Sequence, residues 1–263
     1  MEILTQHRGG HGRPLVLLHG LGLTWRSWKP VLGALEARHD AIALDLPGFG
    51  ASAPLERGVR PTPRALADAV AAELDRLGLE APIVVGNSLG GWLALELARR
   101  GRAQRVVAIA PSGLEAPPER AYVIGLNEIM RVRARAGAPF GRAVTVPRPT
   151  RALLFAGLRT RPWRVDPDDG RRELDAFGRS PGFQSTLRWT VGAAVPEGLA
   201  EIRVPVRIAF GTLDLMLGAL TAPRFAAVIP GAELRALRGL GHVPMNDDPG
   251  LVARTVLEFT DTA

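Results

Sequence analysis

Three side chains of this 263-residue sequence could together perform nucleophilic catalysis: Ser88, Asp214 and His242. Ser88 lies in Gly86-Asn87-Ser88-Leu89-Gly90, a G-x-S-x-G pattern with a short apolar run before it and a helix-forming run after it. A serine on a very sharp strand-to-helix turn needs strained backbone angles and space beside it, and glycines at 86 and 90 remove the clashes. Such a turn lifts the hydroxyl to a helix N-terminus, where free N–H groups and the helix dipole favour negative charge. A phosphate-binding loop is the competing reading. Its marks, G-K-[ST] or G-x-G-x-x-G, are absent here.

A serine hydroxyl is a weak nucleophile until a base takes its proton. Of five histidines, His7 and His11 fall in an N-terminal Gly/Arg segment read as exposed, His39 follows a helix and reads as a helix-end charge, and His19 ends an apolar strand and reads as structural. His242, in Gly239-Leu240-Gly241-His242-Val243-Pro244, falls in a loop before the last helix and is the candidate base. The base needs an acceptor to fix its tautomer. Asp214, in Gly211-Thr212-Leu213-Asp214, follows an apolar strand and suits that role. Asp45, followed by Pro47 and Gly48, reads as turn-forming, and Asp247 and Asp248 before Pro249 read as helix caps. Acyl transfer also needs N–H donors for the oxyanion. The candidates are the backbone N–H of Leu89 and of Leu21, in His19-Gly20-Leu21-Gly22.

These groups meet only if strands bring them to one edge. Apolar runs at 14–18, 41–44, 82–85, 105–110, 205–210 and 232–237 read as buried strands. Helical spacing marks 24–35, a helix beginning at Thr62-Pro63, 92–100, 219–229 and 249–260. The alternation predicts an α/β fold with a mostly parallel, doubly wound sheet, whose ligands bind at the carboxyl ends of the strands. It breaks between 113 and 203, where helices near 119–134, 149–158, 168–179 and 183–194 suggest a helical lid. Residues 1–112 and 204–263 then form the core.

The composition, 46% hydrophobic and 22% charged, suits a globular domain. The absence of cysteine excludes disulfides, thiolate metal sites and a cysteine nucleophile. The net charge of +7 invites a nucleic-acid reading. Lys29 is the sole lysine and the arginines are dispersed among acids, so no nucleic-acid partner is expected. Residues 113–204 hold 15 Arg against 10 Asp and Glu, a field that would attract anionic substrates if it faced the site. No run of about 18 apolar residues and no secretory leader is evident, so the expectation is a cytoplasmic enzyme with no membrane partner.

With His19-Gly20, Asp45-Leu46-Pro47-Gly48-Phe49-Gly50-Ala51-Ser52, Gly86-Asn87-Ser88-Leu89-Gly90-Gly91, Gly211-Thr212-Leu213-Asp214 and Gly241-His242, the chain resembles the α/β-hydrolase family, in particular its small capped carboxylesterases and carbon–carbon bond hydrolases. The resemblance covers about 14–112 and 204–260, and the order Ser, Asp, His is the order of that fold. It implies a cofactor-free hydrolase acting on a small-molecule ester. Two alternatives within the fold are cleavage of a carbon–carbon bond in a vinylogous diketone, with a lid arginine such as Arg188 holding a carboxylate, and acyl transfer. A third is a ligand receptor with little turnover. Serine in place of aspartate at the nucleophile argues against haloalkane dehalogenase and epoxide hydrolase chemistry. Family members often carry a proline a few residues after the triad acid. Here Leu215-Met216-Leu217-Gly218 follows. Phe140, Phe155, Trp163, Phe183 and Trp189 of the lid are candidates for an apolar pocket or for the lid's own core.

Overall fold

The computed structural model describes residues 4–192 and 194–261, with the backbone alone at 218–220. Seven strands form one sheet: β1 (Gln6–Gly10), β2 (Arg13–Leu18), β3 (His39–Leu44), β4 (Ile83–Asn87), β5 (Arg105–Ile109), β6 (Val206–Gly211) and β7 (Glu233–Leu237), in the order β1-β3-β2-β4-β5-β6-β7. From β3 to β7 every pairing is parallel, and β1 runs antiparallel to β3 at the edge. The sheet is thus the mostly parallel, doubly wound one that the sequence pattern predicts.

The central strands β2, β4 and β5 are buried on both faces because helices cover both: α1 (Lys29–Glu36), α2 (Pro63–Arg76), α3 (Leu89–Arg99), α9 (Gly218–Val228) and α10 (Pro249–Thr260). Helix α2 starts where its sequence says it should. Thr62 accepts from the Ala65 N–H at 3.2 Å, Pro63 occupies the first turn, and Leu66, Val70 and Leu74 are buried. Register brings Leu18 opposite Gly86, Asn87 opposite Ile109, Ile109 opposite Ala209 and Gly211 opposite Leu237. The loops that follow β2, β4, β5, β6 and β7 therefore leave from one edge. Strand order reverses between β2 and β4, and there the crevice of such a sheet opens.

Strand β1 departs from the sequence reading, which took this segment as exposed. Its glycines, Gly9 and Gly10, hide the strand pattern, yet Gly10 at φ 83° fits beneath the α1 terminus. His7 bonds Glu36 at 2.7 Å and stacks on Trp25. His39 is buried rather than a helix-end charge: it opens β3 and meets Thr260 Oγ1 at 2.9 Å.

Between β5 and β6 the chain inserts α4 (Pro117–Gly137), α5 (Arg142–Thr145), α6 (Arg148–Leu154), α7 (Pro167–Arg179) and α8 (Phe183–Thr186), the last followed by a π-helical turn at Leu187–Val191. Helix α4 packs on α7, burying Val123, Met130, Ala134, Leu174 and Phe177. The insert is joined to the rest by backbone and side-chain bonds: Gly182 N–H to Gly48 O at 3.0 Å, Thr190 Oγ1 to Pro61 O at 2.9 Å, and Lys29 Nζ to Asp169 at 2.7 Å.

The turn from β4 into α3 leaves no space for side chains at its glycines. A Cβ on Gly86 would lie 2.0 Å from Gly90 O, and one on Gly90 would lie 2.1 Å from Leu18 O. Gly86→Ala must move backbone, which costs about 3 kcal/mol or more. We expect its urea midpoint to fall accordingly, and an unaltered midpoint would show that the turn can relax.

Candidate active site

Ser88 stands at the apex of that turn with φ 55° and ψ −115°, one of two non-glycine residues at positive φ among the described residues. Such a conformation persists only where surroundings impose it. Here the Ser88 N–H donates to Ile109 O at 2.9 Å, and its carbonyl accepts from Trp92 and Ser112 N–H at 3.1 and 3.2 Å. The side chain faces a pocket of about 410 Å³, counted to its open mouth, that is also lined by Gly20, Leu21, Leu89 and His242.

His242 and Asp214 come from the loops after β7 and β6. Their side chains are buried, and the His242 Nδ1–H donates to Asp214 Oδ2 at 2.9 Å. The other carboxylate oxygen accepts the Met216 and Leu217 N–H at 2.7 and 3.0 Å. Burial pushes the Asp214 carboxyl up. The His242 charge and hydrogen bond and the two backbone donors outweigh burial, so its pKa lies below the ordinary value. A carboxylate there accepts only, which fixes the proton on Nδ1 and leaves Nε2 as an acceptor. The five site residues singled out in the sequence are thus gathered at one edge: Ser88, His242, Leu21 and Leu89 line the pocket, and Asp214 stands behind His242. Among the described residues, neither the Leu21 nor the Leu89 N–H donates to another group.

The residues set aside also have clear occupations. Asp45 accepts the Trp25 and Ala51 N–H at 2.8 and 3.0 Å, which shapes the loop after β3. His19 bonds Gly20 O through Nδ1 and accepts the Leu46 N–H through Nε2 at 2.9 Å. Burial lowers its pKa against the opposing pull of Asp45, and the neutral ring serves as a structural link. Arg188 is exposed, lies over the Trp189 ring and does not line the pocket. The lid aromatics do not line the pocket either: Phe155 and Phe183 are buried in the insert, and Phe140 and Trp163 are exposed. Val123, Leu158, Val191, Met216 and Leu217 supply the apolar wall instead.

Sequence reasoning missed several polar groups. Buried Asn87 donates to His242 O at 2.9 Å and to Ile109 O at 3.1 Å, tying the nucleophile turn to the histidine loop. A polar residue closing an otherwise apolar strand was the available signal. The Oδ1 of Asn87 and the Oγ of Ser112 are buried without hydrogen-bond partners among the described residues, and both residues line the pocket. Buried polar atoms left free of partners are uncommon, and a ligand site is a natural place for them.

Asp247 is a correction. Asp248 caps α10 through the Leu251 N–H at 2.9 Å, as its position suggests. Asp247 is fully buried and does something else. Its carboxylate accepts three N–H groups: Arg161 at 2.7 Å, Thr160 at 3.0 Å and Gly241 at 3.0 Å. With Val243 N–H on Leu158 O at 2.8 Å, it clamps the inserted segment 158–161 to the histidine loop. Thr160 and Arg161 lie 87 and 86 residues away in sequence, so nothing local betrays the clamp. Asp247→Asn sets an amide N–H against a buried N–H. We expect a loss of about 2–3 kcal/mol in urea unfolding. An unshifted curve would reject the clamp.

The α/β-hydrolase family profile matches residues 15–255 of this chain. Epoxide hydrolase EphH of Mycobacterium tuberculosis is 35% identical over 210 residues, covering 74% of this chain and 94% of that protein. A thermophilic esterase from Thermogutta terrifontis superposes with a TM-score of 0.75 at 22% identity, covering 98% of this chain and 93% of the other. A variant of the meta-cleavage product hydrolase CumD of Pseudomonas fluorescens IP01 superposes with a TM-score of 0.75 at 22% identity, covering 98% and 94%. At such identities the two structures share the fold with this chain. No helix among the described residues is long and apolar enough to cross a membrane. The match along nearly the whole sequence, on a sheet of this topology, makes the chain a member of the α/β-hydrolase family.

Proposed function

We propose that the chain hydrolyses an uncharged carboxylic ester of small to medium size through an acyl-enzyme on Ser88. The observation that carries this reading is one pocket holding a strained serine beside a histidine whose far nitrogen is bonded to a buried carboxylate. His242 Nε2 takes the hydroxyl proton as Ser88 Oγ attacks the ester carbonyl carbon. The oxyanion is met by the Leu21 and Leu89 N–H groups. His242 passes its proton to the departing alcohol, and water repeats the sequence to release the acid and free Ser88. Asp214 holds the imidazole in the productive tautomer throughout. The insert of 113–203 acts as the cap over the core of 1–112 and 204–263, because its Val123, Leu158 and Val191 reach the pocket.

The charge of the pocket supports an uncharged substrate. Neither Arg nor Lys is among its lining residues, so a substrate carboxylate would be buried unpaired at high cost. That weighs against the carbon–carbon cleavage reading, which calls for a lid arginine such as Arg188 beside the substrate carboxylate. Epoxide opening meets a chemical obstacle. Attack by Ser88 would form an alkyl ether with no carbonyl for water to attack, and the enzyme would be trapped. A pure receptor has no use for a base oriented by a buried acid. The test is labelling with a fluorophosphonate followed by peptide mapping, with turnover of a p-nitrophenyl ester compared with that of a ring-cleavage product. We expect modification at Ser88 and turnover of the ester. Turnover of the ring-cleavage product alone would overturn the ester assignment.

A further inference from the structure

The loop after Asp214, Leu215-Met216-Leu217, separates two pockets. Met216 and Leu217 line the pocket of Ser88 on one side. On the other they line an open groove of about 890 Å³, with Pro118 and Tyr122 of α4, Leu215 and Thr221. We infer that this outer groove takes a hydrocarbon arm of the ester and that the Met216 side chain is the partition that decides how long an arm is accepted. The inference rests on the ester reading above and names the class of ester: one with an extended apolar chain on one side of the scissile bond.

Three observations carry it. The inner pocket and the groove share the wall of Met216 and Leu217, so an arm too long for the inner pocket has a single layer of side chains to pass before it reaches the groove. Leu215 and Tyr122 are 65% and 55% exposed, large apolar surface left beside a concavity. Such surface marks binding sites. Third, the backbone of the partition is pinned by hydrogen bonds, while its buried side chain is held by packing alone. The Met216 and Leu217 N–H groups are held by Asp214 Oδ1, whereas the unbranched thioether has three rotatable bonds. The partition can swing aside without moving the acid. The groove's carboxylates do not oppose an apolar guest. Glu119 is paired with Arg224 at 2.8 Å, and both oxygens of Glu115 accept the Gly113 N–H at 2.9 Å, with burial pushing its pKa up.

The measurement is a pair of ratios of kcat/KM: p-nitrophenyl octanoate over acetate for an acyl arm, and octyl acetate over methyl acetate for an alcohol arm. Met216→Ala should raise one of them by about tenfold, and Leu215→Glu, on the exposed face of the groove, should lower the same one by about tenfold. The ratio that moves identifies the side of the ester that extends. If neither ratio moves in either variant, the groove is no substrate site. Absence of both Ser88 labelling and p-nitrophenyl acetate turnover would be a failure of the ester reading itself. The groove is then read without turnover, by ligand-observed NMR of 1-octanol: weaker binding to Leu215→Glu supports the groove, and equal binding overturns it.

Discussion

Ser88→Ala is expected to abolish fluorophosphonate labelling and to lower kcat for ester hydrolysis by roughly 10⁴ to 10⁶, a range set by enzymes whose triads act as a unit. The variant should fold, because the strained turn is held by bonds that alanine keeps: the N–H on Ile109 O and the carbonyl on Trp92 and Ser112. Removal of the hydroxyl even frees space in a pocket that stays intact. Loss of turnover with an unaltered unfolding midpoint would separate chemistry from stability. Slow hydrolysis above the rate in water should remain, since the Leu21 and Leu89 N–H groups still face a bound carbonyl. Full turnover by the variant would remove Ser88 from the mechanism, and the nucleophile would have to be sought elsewhere in the pocket, where Ser112 also carries a buried hydroxyl.

The parts that local sequence could specify were readable in it. Strands of apolar residues, glycines at 86 and 90, Thr62 before Pro63 and the loop residues after each strand act through near neighbours, and each has a periodicity or spacing. The convergence of Ser88, Asp214 and His242 followed from one topological rule, that parallel strands end at one edge. What local pattern could not reveal was long-range and polar. Asp247 looked like a cap because its neighbour is one, yet its partners are Thr160, Arg161 and Gly241. Asn87 carried no role in the motif pattern and holds the carbonyl of His242. His39 looked like a charge at a helix end and is buried against α10.

The insert was the least legible region for the same reason. An aromatic side chain satisfies a lid core and a substrate pocket equally well, and only packing decides between them. Phe177 and Phe183 pack on each other with ring centroids 5.0 Å apart, while smaller residues, Val123 and Val191, reach the pocket. The Arg excess of the insert told equally little about substrate charge. Several of its arginines are engaged by protein: Arg159 by Glu173, Arg131 over Phe183, Arg161 and Arg164 by the Asp247 carbonyl. The pocket beneath is lined by neither arginine nor carboxylate.

Asp214→Asn should lower kcat about 10⁴-fold while leaving Ser88 and the groove in place. The carboxylate accepts three N–H bonds, and an amide reproduces one oxygen alone. If that oxygen keeps the Met216 and Leu217 donors, the amide N–H₂ faces His242 Nδ1, which must then give up its hydrogen. The proton moves to Nε2, the atom that has to accept from Ser88, and general base catalysis is lost. The same pair predicts a stability signature. Asp214 has a native pKa below its unfolded value of 3.8, so its carboxylate stabilises the fold above that pH, and the contribution disappears as pH falls through the lower native value. Asparagine has no such titration. The stability advantage of the native protein over Asp214→Asn should therefore be full at neutral pH and shrink on acidification below about pH 3.8. Urea unfolding of both proteins across that range measures it. An advantage independent of pH would mean that the charge of Asp214 is not what holds the buried histidine.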